Sequence, residues 1–570
     1  MRQKIIITAA SLVIIFLIQG CKKDFLNRPP QSSLTSGVFY ATDADVLTGT
    51  GALYSVSWSS YNGTAMNAFG DVLGGNLMWD NYQNRGAYIN FAISATDESG
   101  SLSATYNAFW SEIANANVIA YNIQHAAPGA SESGKNSGLA ECRFMRATAY
   151  YYLALNWGAV PIIYDNITQI SDTNIRRNNL DDVWKFIISD LTWAKDHLGA
   201  NPLQPARITK WSAEGMLARA YLVRSGLGQS GGMRNQGDLD SAKFYAGDVC
   251  NNSGLSLMSN YYDLFTSKNF SGTNVPSESL FSLLWVPGSN DYFSHNHMQA
   301  NLAYSSKITQ TGDGWGSSFG ASASLLRYYF DPANKADSVR RRTTFFMPND
   351  FYPDIDVADG GWRVDTTLFN NSKIYTPGQS GNGNTNDRAY PKKYVIGSPA
   401  DNGGLGGSQN INLNTYMFRL AEVYLIYANA ILGNNASTSD PEALKYFNAV
   451  RIRAGVAPKT SITYADIFQE KKVEFAFEGN EWYDWKQWYY FDPTNALQYF
   501  STQDRGTYNI SYNNGDPFIT FFGTDSKTPG TVNYPITPST VDVPYPETSL
   551  LVTPALSLPP VPFDFSKLQY

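Results

Sequence analysis

Residues 470–488 read EKKVEFAFEGNEWYDWKQW, with four glutamates, one aspartate and three tryptophans in nineteen positions. Carboxylates beside aromatic rings are the ingredients of a sugar-cleaving site, and the same residues also make a helix with a charged ridge. At about 100° per residue, Glu470, Glu474, Glu478 and Glu481 fall within roughly an 80° arc of one helix, with Val473 and Phe477 on a neighbouring stripe. Glycoside hydrolysis needs two carboxyl groups facing each other across a cleft, about 5–9 Å apart and with divergent pKa values. Carboxylates along one ridge do not face each other. The spacing therefore predicts a scaffold helix. Like charges one turn apart repel by a few tenths of a kcal/mol, so the ridge needs cationic partners. Arg451 and Arg453, in the helical stretch just upstream, are the expected ion-pair partners of this column, which includes Glu474 and Glu478. Trp482, Trp485 and Trp488 share that helix and are expected in the core.

Outward from this stretch, helical periodicity recurs. Residues 138–157 place Phe144, Ala147, Thr148, Tyr151 and Leu155 on one face, with Gly158 and Pro161 ending the run. Residues 179–199 stripe through Val183, Ile187, Leu191 and Ala194, residues 210–225 through Ala213, Leu217 and Ala220, and residues 239–252 add a shorter partner. Residues 416–433, YMFRLAEVYLIYANAILG, stripe from Met417 to Ile431 as one helix. In the next helix Asp440 caps, Pro441 takes the first position and Gly455 closes. Small alanines beside tyrosines on successive helices predict stacked helical hairpins of tetratricopeptide type. The expected fold class is mainly α. Its helical scaffold covers about 100–255 and 415–490, a loop-rich, ligand-binding portion about 256–414, and an irregular Pro-rich segment 491–570.

The chain of 570 residues carries a net charge of -7 and only 16% charged residues, against 14% aromatics. That composition excludes disorder and argues against nucleic acid, which needs a clustered basic face. At the other end, Arg2 and Lys4 precede an apolar run from Ile5 to Ile18 that is too short to span a bilayer. Residues 1–20 thus read as a secretory signal, and Gly20–Cys21 resembles the lipobox of bacterial lipoproteins, in which the cysteine carries acyl chains of the palmitate class. Residues 21–570 then form a body tethered to a membrane surface. Cys142 and Cys250 read as buried small hydrophobes.

Five ordered motifs carry a resemblance. LAECRFMRATAYYYLALNWGAVPII resembles the family signature E-x-R-F-x-R-A…G-x-V-P through Glu141, Arg143, Phe144, Arg146, Ala147, Gly158, Val160 and Pro161. ITKWSAEGMLARAYL, FRLAEVYLIYANAI and ALKYFNAVRIRAG are similar to three further helices, with Asn429 standing where the family often has Glu. The opening stretch matches the last signature at Glu470, Glu474, Phe475, Glu478, Gly479, Asp484 and Trp488, while Lys471, Glu481 and Gln487 replace arginines. The chain thus resembles the SusD/RagB family of nutrient-binding outer-membrane lipoproteins. The resemblance implies tetratricopeptide-like helix pairs with a variable loop-rich portion. It further implies lipid-anchored display on the outer membrane of a Gram-negative cell and a SusC-like TonB-dependent transporter as partner. It implies binding of oligosaccharide or polysaccharide, or of peptides in some members, without catalysis. A surface glycoside hydrolase is the alternative from another class.

A sugar ring needs flat aromatics beneath it and amides, carboxylates or arginines at its rim. FGDVLGGNLMWDNYQNRGAY offers Trp79 and Tyr82 for stacking and Asp71, Asn76, Asn81 and Arg85 for the rim. TGDGWG adds Trp315 with Asp313, and Trp285, Tyr292, Trp362 and Tyr375 are weaker candidates. The alternative for Trp79 and Trp315 is that they are buried anchors pinning long loops. GSSFG around Ser318 matches G-x-S-x-G, but no histidine follows His297, so the chain order of a hydrolase triad is absent. GLGQSG, 226–231, follows a helix rather than a strand and reads as a helix-ending loop. His295 and His297 lack a third zinc ligand. Asp354, Asp356 and Asp359 sit close together with Ala358 where an oxygen ligand belongs. The expectation is no cofactor and a solvated acidic loop, with a structural calcium ion as the alternative.

Overall fold

The computed structural model describes residues 40–568, apart from 81, 170–171, 173, 273, 305, 315–317, 365–387, 514–515 and 525–527. The signal segment, Cys21, Asn81, Trp315 and Tyr375 therefore lie outside the described residues, as does the side chain of Tyr82.

Local chemistry sets the scaffold helices. They are α1 (Ser101–Ala126), α2 (Glu132–Trp157), α3 (Leu180–His197), α4 (Lys210–Arg224) and α5 (Gln236–Asn252), then α6 (Leu420–Leu432), α7 (Pro441–Arg453), α8 (Tyr464–Glu474) and α9 (Glu481–Phe491). The Ser131 side chain accepts the Gly134 N–H at the start of α2, and Gly158 ends it at φ 69°. Asp440 accepts the N–H groups of Glu442 and Ala443 ahead of Pro441. Thr463 and Asp466 cap α8 reciprocally. From α1 to α7 each helix packs on the one before it and the one after it, even across the long excursion between α5 and α6. The core runs the length of this stack and includes Phe144, Tyr151, Leu155, Ile187, Leu217, Leu425 and Phe447. The fold is mainly α.

Three expectations are corrected. Residues 416–419 are not helical: they belong to strand β4 (Thr415–Arg419), which pairs antiparallel with β2 (Ser279–Leu283). Leu420 N–H donates to the Glu278 carbonyl at 2.8 Å, so the ladder passes straight into α6. The 470–488 stretch is not one helix. Phe475 ends α8, Phe477 and Gly479 take φ of 67° and 77°, and α9 starts afresh at Glu481. Residues 491–570 are not wholly irregular: α10 (Pro493–Thr502) and a hairpin of β5 (Thr507–Asn513) and β6 (Asp516–Phe522) lie at their start. Beyond the hairpin the chain runs along the scaffold. Val543 N–H meets the Asn156 carbonyl, and Val561 exchanges bonds with residues 177 and 179.

What joins scaffold and loop-rich portion is a buried charge cluster. Glu278, Asp337, Glu470, Glu474 and Glu478 meet Arg340, Lys393, Arg419, Arg451 and Arg453. Arg419 reaches Glu278 at 2.6 Å, Glu478 at 2.7 Å and Glu474 at 3.2 Å. Arg451 meets Glu470 at 2.7 Å, and Arg453 bridges Glu278 at 2.6 Å and Glu474. The partners of Glu478 are Arg419 and Lys393, because the chain turns between Phe475 and Gly479 and swings that carboxylate away from α7. Burial alone would raise Glu474, but the guanidiniums of Arg453, Arg419 and Arg340 hold it down at about 2. Glu481 faces Lys472 at 3.1 Å and Asp484 faces Lys471. Every carboxylate of the opening stretch is thus spent on a cation.

Candidate functional site

The loop-rich portion folds back onto the start of the scaffold and leaves a cleft of about 450 Å³. One wall is the turn at 59–65 and the approach to α1, with Ser59, Ser60, Asn62, Thr64, Ser99 and Ser101. The other wall carries Tyr292, Phe293, His297, Asn301 and Gln409, and Arg85 lines the cleft as well.

Each functional side chain of the second wall is set by local bonding. Asp291 caps a single turn, accepting Phe293 N–H at 3.2 Å and the Ser294 hydroxyl at 2.7 Å, and so presents Tyr292 and Phe293 outward. Those rings are 50% and 58% exposed, unusual for side chains of that size. The Tyr292 hydroxyl donates to Gln409 Oε1 at 3.0 Å, and its ring lies 4.3 Å from that of His297. Gln409 sits at φ 54° in the turn Gly407–Asn410. Its N–H and the Ser408 hydroxyl both donate to the Asp313 carboxylate, at 2.9 and 3.1 Å. Gly314 N–H donates to the Ala300 carbonyl at 3.1 Å. Beneath, Asn62 donates to Asn296 Oδ1 at 3.0 Å and accepts from Thr415 at 2.8 Å, tying both walls to β4. Burial lowers the pKa of His297 and raises that of Asp313.

The structure sorts the sequence-derived candidates. Among the described candidates, Arg85 and Tyr292 line the cleft; Arg85 is paired with Asp80 at 3.0 Å and hydrogen-bonded to the Ser318 hydroxyl at 3.3 Å. Its guanidinium lies 4.8 Å over the Trp79 ring. Trp79 itself is 1% exposed, on strand β1 (Leu77–Trp79), which pairs with β3 (Phe319–Ala321). Its ring stacks on Phe319 at 5.1 Å, so it is an internal anchor. Asp71 is fully buried on a π-turn, Asn67–Val72, where its two oxygens accept Phe477 N–H at 2.8 Å and Gly479 N–H at 2.7 Å. Burial pushes its carboxyl up to about 7, against those two donors. Asn76 is buried and donates to the Lys472 carbonyl at 3.3 Å. Asp313 is a loop staple, and Trp285 is buried with its indole N–H on Thr415. These side chains were sequence candidates because they are polar or aromatic and lie in Gly-rich stretches. The backbone partners of Asp71 and Asn76 lie 396 to 408 residues away along the chain.

Among the described aromatic candidates, Tyr292, a weaker one, is the exposed ring. Phe293, Asn301 and Gln409 were missed, although the Asp-aromatic-aromatic-Ser turn at 291–294 is a readable signal. His295 and His297 spend their Nε2 atoms on the carbonyls of Ser289 and Tyr292. Asp354 accepts the Tyr262 hydroxyl, and among the described residues no group of three His, Cys, Asp or Glu side chains converges to hold a metal. Ser318 bonds Arg85 rather than a histidine.

Comparison with known proteins agrees with this architecture. The family model described as the SusD family matches residues 235–544, and one described as starch-binding and associating with the outer membrane matches residues 24–222. A SusD-like protein of Bacteroides ovatus is 36% identical over 583 residues, covering 100% of this chain and 99% of its own. A second, from Formosa agariphila, is 24% identical over 526 residues, covering 86% of this chain and 91% of its own. A crystal structure of a protein with xylogluco-oligosaccharide superposes with a TM-score of 0.80 at 35% identity, over 91% of this chain and 99% of that one. With matches spanning nearly its whole length, the chain belongs to the SusD/RagB family.

Proposed function

We propose that this protein binds an oligosaccharide or polysaccharide in the cleft between Arg85, Tyr292 and Gln409 and does not cleave it. The observation that carries the reading is the exposed pair Tyr292–Phe293 above a surface of hydroxyls and amides, the apolar-face, polar-rim pattern that a sugar ring requires. A structural neighbour solved with xylogluco-oligosaccharide, 35% identical, supports it. Among the described lining residues there is no carboxylate, so the cleft lacks the facing acid pair of a glycosidase. By family membership the protein works at the outer membrane, held through a lipid on Cys21, and passes its glycan to a SusC-like TonB-dependent transporter. Residues 1–20 are removed in this reading and 21–570 form the mature body.

Affinity electrophoresis against a polysaccharide panel, with reducing-end assays on the same mixtures, tests it. Retarded migration without new reducing ends is the expected result. Release of reducing sugars, or retention by peptides and by no glycan, would overturn it.

A further inference from the structure

Resting on the glycan reading, the charge layout of the cleft deepens it. We infer that the ligand is an electrically neutral glycan and that the cleft discriminates against uronic-acid and sulfated polysaccharides. An acidic sugar needs an unspent cation or a set of converging N–H donors where its carboxylate lands. Among the described lining residues only Arg85 and His297 are basic. The Arg85 charge is closed by Asp80 at 3.0 Å, with the Ser318 hydroxyl and the Trp79 ring taking up its remaining faces. His297 is held towards its neutral form by burial, and its Nε2 is engaged by the Tyr292 carbonyl at 3.2 Å. The rest of the lining offers hydroxyls and amides, which suit uncharged sugar hydroxyls as donor and acceptor alike. The whole molecule, at net charge -7, also repels polyanions at long range. Bringing a carboxylate into this cleft would strip its water without supplying a counter-charge.

The test uses full-length mature protein on native gels containing xyloglucan, a neutral β-glucan, polygalacturonate or alginate, across a salt series. The expected result is retention by a neutral polymer, with apparent Kd changing less than about twofold between about 20 and about 500 mM NaCl, and no retention by either polyuronate. D80N, which removes the carboxylate paired with Arg85, should gain salt-sensitive retention by polygalacturonate while keeping the wild-type Tm. Salt-sensitive retention of the wild type by a polyuronate would overturn the inference, whether or not D80N folds. A folded D80N that gains nothing would overturn the role given to the Asp80–Arg85 pair. Retention by no polysaccharide of either class would overturn the glycan reading itself and this inference with it.

Discussion

Asp71 shows how much one side chain can decide. Both of its oxygens accept backbone N–H groups, Phe477 at 2.8 Å and Gly479 at 2.7 Å, from a turn in which two residues hold positive φ. Gly70, its neighbour, lies so close that a Cβ there would sit 2.1 Å from Gly479 Cα. An asparagine at 71 keeps the shape but turns an N–H₂ towards one of the two donors. D71N should therefore cost about 1–3 kcal/mol, read as a lower denaturation midpoint at unchanged m-value. Glu481 shares the upward shift of Asp71. Burial pushes its carboxyl up to about 7 from 4.5, against the pull of Lys472. The folded protein thus holds a proton that the unfolded chain has already released between those pH values. Stability contributed this way is fully present below about pH 4.5 and is lost progressively as pH rises through about 7, a difference on the order of 3 kcal/mol for this group. E481Q should flatten the fall in Tm between about pH 4.5 and 7; an unchanged slope would assign the pH dependence to other groups.

Among the elements, α8 and the strand-to-helix passage at Arg419 depend on the buried charge cluster. Removing one partner from a buried pair leaves an uncompensated charge, at about 3–5 kcal/mol. Arg453 is 4% exposed and bridges Glu278 and Glu474, so R453A should show the full loss in thermal or chemical denaturation. Arg451 is more exposed and shares Glu470 with Arg340, so R451A should cost distinctly less. Equal and negligible effects would mean that the cluster is dispensable. The Glu470–Glu474 ridge of α8 and its need for cations were legible from spacing alone. The break at Phe477 was not, because nothing in a run of good helix formers announces that Gly479 must back onto Gly70. Likewise α1 carries no clean stripe in SLSATYNAFWSEIANANVIAYNIQHA, since it is covered from more than one side. The strand at 415–419 hides in a helical pattern because all five residues are buried, which erases the period-two signal.

For the whole molecule, the proposed glycan cleft draws on residues 59–65, 85, 99–104, 292–301 and 409, which form one surface only in the folded state. Y292A should weaken glycan affinity about tenfold or more, roughly 1.4 kcal/mol, with Tm unchanged, as read by calorimetric titration. Trp315, next to the tethered Gly314, should behave the same way if it too meets the glycan. W79A should instead lower stability by about 3–5 kcal/mol, because it empties a packed site against Phe319 and Tyr88. A W79A protein with wild-type Tm and lost affinity would place the glycan on that ring.

By itself the sequence determined the class of architecture, most of the helix sites and the ends set by caps and glycines. These are local or periodic properties, and a few residues of context suffice to express them. Only the tertiary structure decided which aromatics face water, which carboxylate takes which arginine, and where the cleft opens. Trp79 and Tyr292 differ not in their neighbours along the chain but in what the fold lays over them. One ring is sealed between Phe319 and Arg85, and the other is left standing at the edge of a turn.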